Sequence, residues 1–249
     1  MTVQDILNFW EARAPLALAE EWDNPGLLVG SPTAQVSAVL TTLDITPQAV
    51  KAAAAMGAQL IVSHHPVIFS PLRRLEGDSV PYRLAAAGIA ALCLHTNLDK
   101  AAGGVNDALI RQMGWPPAGV APDGLCRIVT LPAPVKADEL AHDAAQRLHT
   151  AVRFAAGGRD TVTRIGVCSG AGGDCLLDLA ESVDAVLTGE IKHHEWLAFT
   201  GAGVAAIDAG HYATEVGISH TLQKEMEKAF PSLTVAAYAQ PAPYETIRE

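Results

Sequence analysis

The chain has 249 residues, of which 49% are apolar and 18% charged, so it can build a substantial core and is not expected to be disordered. Its 27 acidic and 17 basic residues give a net charge of −10, which disfavours broad electrostatic binding to nucleic acid or to an anionic membrane. No apolar run reaches the roughly 20 residues of a membrane-spanning helix, and residues 1–10 lack the pattern of a signal peptide, so we expect a cytoplasmic protein.

The first half of the chain alternates short apolar strands with helices that begin at a cap or a proline and end at a glycine. In chain order, we predict a helix at 5–19, a turn at 22–26, a strand at 36–43, a helix at 47–56, a strand at 59–63, a helix at 81–87, a strand at 89–94 and a helix at 106–113. This alternation indicates βαβ units and a largely parallel sheet, in which ligands bind at the carboxyl ends of the strands.

The second half repeats this order after a proline-rich stretch at 115–134, which is predicted to be a linker. The predicted elements are a helix at 136–149, a strand at 164–168, a helix at 175–182, a strand at 184–188, a helix at 195–199, a strand at 203–207 and a long helix at 212–230. We interpret the repetition as an internal duplication. It predicts an α/β protein with mixed sheets flanked by helices and two similar βαβ-type lobes, at 1–120 and 121–249, with the C-terminal end able to pack back on the first lobe.

Polar side chains stand where the predicted strands end. His64 and His65 close an apolar strand, and Pro66 holds the preceding residue extended, so the two side chains point opposite ways. Two histidines arranged in this way are poorly placed to bind the same metal ion. They could bind two neighbouring metal ions, or one could bind a metal while the other orients a ligand. The four cysteines form no CxxC pair and are expected to be small buried thiols.

Two carboxylates join these histidines as candidate ligands. Asp99 lies in the segment 95–99 after the next strand, too early in the chain to cap the helix at 106–113, so a ligand role is favoured. His211 and Glu215 are four residues apart, which places them on one helix face. Taken alone, that pair is equally compatible with a helix-opening histidine and a glutamate that compensates the helix dipole.

Three histidines and two carboxylates without a cysteine describe a site for divalent metals, and Zn²⁺, Fe²⁺, Mn²⁺ and Co²⁺ all suit these ligands. Two such ions would sit about 3.5–4 Å apart and share a bridging carboxylate or water, whose lowered pKa makes it a nucleophile near neutral pH. The sequence therefore predicts two divalent metal ions per chain.

A series of motifs along nearly the whole chain resembles a known family. They are EWDNPGLLVG at 21–30, TLD at 42–44, SHHP at 63–66, HTNLD at 95–99, GVND at 104–107, TGE at 188–190, HH at 193–194 and DAGH at 208–211 followed by Glu215. Together they resemble the Nif-three-like dinuclear-metal hexamer proteins, also called GTP cyclohydrolase I type 2 homologues. The resemblance implies metal ligands at His64, His65, Asp99, His211 and Glu215, and a toroidal homohexamer of two-lobed chains. The chain lacks the extra inserted domain of longer relatives.

Three functions remain open from the sequence. The first is a metal-dependent hydrolase that opens the ring of GTP or a related heterocycle, with Glu190, His95, His193 and His194 as orienting or proton-carrying groups. The second is a non-catalytic metal-binding or adaptor protein. The third is a structural ring that recognises DNA or a protein partner. The excess of acidic residues counts against DNA as that partner. The glycine-rich segment 169–173 could hold an anion, although a plain tight loop is favoured.

Overall fold

A computed structural model describes residues 1–245 as an α/β fold with two mixed sheets flanked by helices. The described residues divide into two compact units: unit 1 contains residues 1–104 and 218–241, and unit 2 contains residues 105–217 and 242–245. The mixed sheets predicted from the sequence are confirmed. The division into lobes at 1–120 and 121–249 stays a prediction. Within residues 1–245, no helix has both the length and the apolar character needed to cross a membrane.

Unit 1 is built on a five-stranded sheet in the order β1-β4-β3-β2-β11. Its elements are α1 (Val3–Glu11), β1 (Gly26–Val29), β2 (Ala38–Thr42), α2 (Pro47–Ala55), β3 (Leu60–Ser63), α3 (Val80–Ala87), β4 (Ala90–Cys93), α4 (Thr96–Lys100), α10 (Ile218–Ala229) and β11 (Thr234–Ala237). The strands β11, β2, β3 and β4 are parallel, and β1 pairs with β4 in the antiparallel sense.

The local sequence explains the βαβ units at the centre of unit 1. Thr46 caps α2 through its side chain, and Pro47 supplies a fixed φ at the first helical position. Ser79 caps α3 in the same way, and Gly88 ends that helix with a φ of +65°. Every residue of β2, β3 and β4 is buried, as expected for parallel strands covered on both faces. The predicted strands and helices of this region are confirmed.

Unit 2 is built on a six-stranded sheet in the order β5-β6-β8-β9-β10-β7. Its elements are α5 (Val105–Gln112), β5 (Gly119–Val120), β6 (Arg127–Lys136), α6 (Ala137–Arg147), β7 (Arg153–Ala155), β8 (Thr161–Cys168), α7 (Gly173–Leu177), β9 (Ala185–Thr188), α8 (His193–Gly201), β10 (Ala205–Asp208) and α9 (His211–Glu215). The three central strands β8, β9 and β10 are parallel, whereas the pairings of β5, β6 and β7 are antiparallel.

The predicted linker at 115–134 is wrong, because most of the ten-residue strand β6 lies inside it. The prolines of β6 fall between Thr130 and Val135, where its pairing with β8 shifts register. On the side of β6 away from β8, the strand β5 pairs only with Arg127 and Ile128. The proline-containing half of β6 is therefore an edge of the sheet. Proline is tolerated at an edge or at a register shift because no ladder hydrogen bond is lost there.

Three predicted helices are also corrected. The helix predicted at 5–19 ends at Glu11, and Pro15 follows before a short 3-10 turn at 16–18. The long helix predicted at 212–230 is interrupted between Glu215 and Ile218, so that α9 and α10 are separate helices. The helix predicted at 175–182 is shorter than expected and ends at Leu177. The interruption assigns α9 to unit 2 and α10 to unit 1.

Candidate metal centre

Three histidines meet at the carboxyl end of the unit 1 sheet. His64 and His65 follow β3, and His95 follows β4, its parallel neighbour. Parallel strands end at the same edge of a sheet, so these side chains come together. One ring nitrogen from each of the three lies within 4.8 Å of those of the other two. This spacing is compatible with nitrogen ligands that converge on metal.

Each of these three rings is fixed by a hydrogen bond from its Nδ1 atom. The Nδ1 of His64 donates to the carbonyl oxygen of Leu94 at 2.8 Å. The Nδ1 of His65 donates to Asp44 Oδ1, and that of His95 donates to Asp23 Oδ1, both at 2.7 Å. A carbonyl or a carboxylate oxygen only accepts, so Nδ1 carries the hydrogen in each ring. The Nε2 atom then has the lone pair that a metal requires, which is the usual arrangement of metal-binding histidines.

The carboxylates behind His65 and His95 are themselves held in place. Gln240 donates from Nε2 to Asp44 Oδ2 at 2.6 Å, and its Oε1 accepts from the Asp44 backbone N–H at 2.9 Å. The other oxygen of Asp23 accepts from the backbone N–H of Thr96 at 3.0 Å and from the Thr96 hydroxyl. Burial by itself raises the pKa of Asp23, but the hydrogen bonds from His95 and Thr96 outweigh it and lower the pKa to about 2. Asp23 is therefore a carboxylate at every physiological pH.

Asp99 lies on α4, one helical turn after His95. Its Oδ1 atom is 3.6 Å from Nε2 of His64, and its side chain is 13% exposed. Unit 1 thus places a carboxylate oxygen beside the nitrogen of His64 that carries the lone pair. His64, which follows β3, and Asp99, on the helix that follows β4, thus supply one nitrogen and one oxygen donor.

Unit 2 contains a second pair of the same kind on α9. Nε2 of His211 is 3.0 Å from Oε2 of Glu215, and the Glu215 side chain is only 5% exposed. Nδ1 of His211 donates to Glu190 Oε1 at 2.7 Å. This ring therefore has an acceptor on Nδ1, as the three rings in unit 1 do, and its Nε2 atom lies beside a carboxylate, as that of His64 does.

The glycine-rich segment 169–173 packs directly against the α9 pair. A Cβ atom at Gly170, where φ is +60°, would lie 2.1 Å from Oε1 of Glu215 and 3.2 Å from Nε2 of His211. Only glycine fits this position without displacing the carboxylate. Backbone N–H groups of the segment donate within unit 2, from Gly170 to the Thr214 hydroxyl and from Gly172 to the Thr188 hydroxyl. These bonds favour the tight-loop interpretation over an anion site.

The other candidate residues have different surroundings. Glu190 is 56% exposed and contacts the ring of His211, so it orients that histidine. His193 and His194 lie exposed in the first turn of α8, where Nε2 of His194 is 3.9 Å from Oε1 of the buried Glu195. His95 belongs to the cluster of histidine nitrogens in unit 1.

Three orienting residues were not predicted as part of the site: Asp23, Asp44 and Gln240. Asp44 stands directly after β2, so the rule for strand ends pointed to it, and Asp23 lies in the motif at 21–30. Gln240 carries no such signal, because it reaches Asp44 across 196 residues of sequence.

The donors fit a divalent metal. Nitrogen from histidine and oxygen from carboxylate suit Zn²⁺, Fe²⁺, Mn²⁺ and Co²⁺, whereas no cysteine of residues 1–245 belongs to a group of side chains spaced to hold a metal ion. Each of the four rings also has the hydrogen bond on Nδ1 that orients a ligating imidazole. The clusters are therefore consistent with metal binding.

Comparison with known proteins identifies the family of the chain. Residues 1–243 match the family profile described as Duf34/NIF3 (NGG1p interacting factor 3). The chain belongs to the NIF3 family. A relative from Lactococcus lactis named GTP cyclohydrolase 1 type 2 homolog is 34% identical, with 85% of this chain and 86% of the relative covered. NIF3-like protein 1 of Drosophila melanogaster is 32% identical, with 88% of this chain and 78% of the relative covered.

Solved structures show the same fold. The crystal structure of Staphylococcus aureus hypothetical protein SA1388 superposes with a TM-score of 0.92 at 26% identity and covers 99% of both chains. This likeness extends over both sheets of the chain. The two proteins thus share their fold over 99% of each chain.

Proposed function

We propose that this NIF3-family protein binds two divalent metal ions through His64, His65, Asp99, His211 and Glu215. The observation that carries the proposal is the common state of the histidine rings. His64, His65 and His211 each donate from Nδ1 to an acceptor, and His64 and His211 each direct Nε2 to a carboxylate oxygen within 3.6 Å. A metal-ligating histidine almost always donates its other ring N–H to such an acceptor, which fixes the tautomer and the orientation of the ring.

The reaction that best suits these groups is hydrolysis of the GTP cyclohydrolase 1 type 2 kind, the activity that several relatives carry in their names. Divalent ions held by these residues would supply Lewis acidity and would lower the pKa of water in the site, which is the chemistry that opening the imidazole ring of a purine requires. The chain's own residues do the positioning: Asp44 orients His65, and Glu190 orients His211. His95, hydrogen-bonded to Asp23, is placed to accept a proton beside the same cluster.

The first experiment measures metal content and turnover together. Protein purified without chelators is analysed by elemental mass spectrometry, and the same sample is incubated with GTP. We expect about two metal ions per chain in the wild type, a reduced content in Glu215→Gln, and an unchanged content in the control Glu181→Gln, whose side chain is exposed. Loss of GTP that requires metal would support the hydrolase.

Other results of that experiment separate the alternatives. Metal without any turnover of GTP would favour the non-catalytic metal-binding or adaptor protein. A wild type that holds no metal, even after reconstitution with Zn²⁺, Fe²⁺, Mn²⁺ or Co²⁺, would refute the proposed ligand set.

The proposal includes an origin by internal duplication and assembly as a toroidal homohexamer. Unit 1 runs β2-α2-β3-α3-β4 and unit 2 runs β8-α7-β9-α8-β10, each with three parallel strands and helical connections. This common order supports the duplication, and family membership supports the hexamer. Light scattering coupled to gel filtration tests the assembly. A cytoplasmic location stays a prediction.

A further inference from the structure

Two large aromatic side chains stand exposed beside the histidine cluster of unit 1. Trp22 is 61% exposed and Phe69 is 52% exposed, although full burial of such side chains is favourable by roughly 2 to 3 kcal/mol each. Their ring centroids are 6.0 Å apart, and the Trp22 centroid is 6.3 Å from that of His95. Core packing does not explain this placement.

Hydrogen bonds fix the segment that carries Trp22. Its neighbour Asp23 is bound to His95 and to Thr96 at the start of α4, and the backbone N–H of Glu20 donates to the Thr96 hydroxyl at 3.0 Å. The Trp22 backbone is therefore anchored on both sides. An exposed side chain on a rigid backbone loses little conformational entropy when a ligand covers it.

The same segment also holds the backbone next to Phe69. Asn24, two residues after Trp22, donates from Nδ2 to the carbonyl oxygen of Ile68 at 2.7 Å. The two aromatic rings thus belong to one hydrogen-bonded assembly, which includes His95 through Asp23. These bonds hold the backbone on which both rings stand beside the histidine cluster.

The two exposed aromatic rings are not stacked face to face on each other, and Trp22 is not stacked on His95. Trp22 and Phe69 are inclined by 46°, so they do not stack face to face, and the Trp22 and His95 rings meet edge-on at 77°. Aromatic faces that are exposed in this way are the surfaces on which nucleobases stack in proteins that bind them.

We propose that Trp22 and Phe69 form a stacking platform for the planar heterocycle of the substrate, a purine base or a ring of similar size, at the margin of the His64, His65 and His95 cluster. The inference rests on the proposed function and names the substrate class of the same site. The platform holds the base by its faces, and the histidine cluster lies beside it where the ring is attacked. Stacking tolerates any flat heterocycle, so the platform sets the class of substrate and not its substituents.

The test uses metal-loaded wild-type protein and isothermal titration with guanosine, and with ribose 5-phosphate as a ligand without a base. We expect guanosine to bind and ribose 5-phosphate to bind far more weakly. Trp22→Ala should weaken guanosine binding on the order of tenfold, the size of one lost base–aromatic stack. Trp22→Phe should restore most of it, and Phe69→Ala should weaken it less.

The control is Tyr82→Ala, which removes another exposed aromatic ring, on α3 of the same unit, and should leave guanosine affinity unchanged. Metal content of every variant is measured in parallel. If wild type and Trp22→Ala hold equal metal and bind guanosine equally, or if the metal-loaded wild type binds no guanosine, the platform is refuted while the metal site stands. If the wild type holds no metal, the metal measurement refutes the proposed function itself, independently of the guanosine result.

Discussion

At the scale of single residues, the orienting carboxylates determine what the histidines can do. Asp23 and Asp44 hold His95 and His65 in one tautomer, and Glu190 does the same for His211. An orienting group of this kind tunes both the direction and the basicity of the ring it holds. Loss of Asp44 or Glu190, which orient the proposed ligands His65 and His211, is therefore expected to weaken metal binding.

Asp23 also makes the stability of the metal-free protein depend on pH. Its pKa in the folded state, about 2, is below the ordinary 3.8, so the ionised carboxylate stabilises the fold above pH 4 and this contribution is lost as the pH falls through 2. We expect Asp23→Asn to lower the free energy of unfolding at pH 7 on the order of 1 to 2 kcal/mol. Urea titrations of metal-free protein at pH 7, 4 and 3 measure it.

In those titrations the difference between wild type and Asp23→Asn should shrink as the pH is lowered. Asp78→Asn, in an exposed loop of the same unit, serves as the control and should behave as wild type. A difference that stays constant from pH 7 to pH 3 would contradict the role assigned to the Asp23 carboxylate.

The cysteines should differ in their reactivity. Burial raises the pKa of Cys93, and hydrogen bonding with Cys168 and Cys175 raises that of Cys126, whereas the hydrogen bond with Cys126 lowers the pKa of the half-buried Cys175. The thiolate is the reactive form. We therefore expect iodoacetamide at pH 8 to modify Cys175 first in the native protein, as read by peptide mass spectrometry. Equal rates at Cys93 and Cys175 would disprove this order.

At the scale of elements, the segment 169–173 packs closely against the helix α9. Because a Cβ atom at Gly170 would meet the Glu215 carboxylate, Gly170→Ala should displace that carboxylate and reduce metal affinity by tenfold or more. Competition with a chromogenic chelator measures the affinity. The matched control is Gly201→Ala on α8, where an added Cβ has nothing within 4 Å. Equal affinities for the two variants would remove Glu215 from the ligand set.

The elements that could be predicted are those whose signals are local. The strands β2, β3 and β4 are short and fully buried, and a glycine follows the helix before each of β3 and β4. The rule for strand ends then led to His64 and His65. The helix α4 has five residues, too few to show helical periodicity, and β1 has one buried residue in four, so neither was found. The prolines of the strand β6 hide its apolar pattern, so the sequence predicts a linker there.

At the scale of the whole molecule, metal should contribute to stability because the unfolded chain has no preformed site. A ligand at a hundred times its Kd adds about 2.7 kcal/mol, and a chain of this size gains roughly 2 to 4 °C in Tm per kcal/mol. We expect removal of metal by EDTA to lower the Tm by roughly 5 to 10 °C in differential scanning calorimetry. Glu215→Gln should show a smaller shift, and an EDTA-insensitive Tm in the metal-loaded wild type would contradict a metal held by folded side chains.

The strand β11 has a consequence for the synthesis of the protein. It lies beside β2, so unit 1 joins residues near 40 to residues near 235, and Gln240 comes to Asp44 from the same late segment. On the ribosome, residues 1–104 are made while this segment is still untranslated, for roughly 6 to 26 s at ordinary elongation rates. During that time the open edge of β2 is available to other nascent chains. A chaperone that shields this edge until translation ends would therefore raise the yield of native protein.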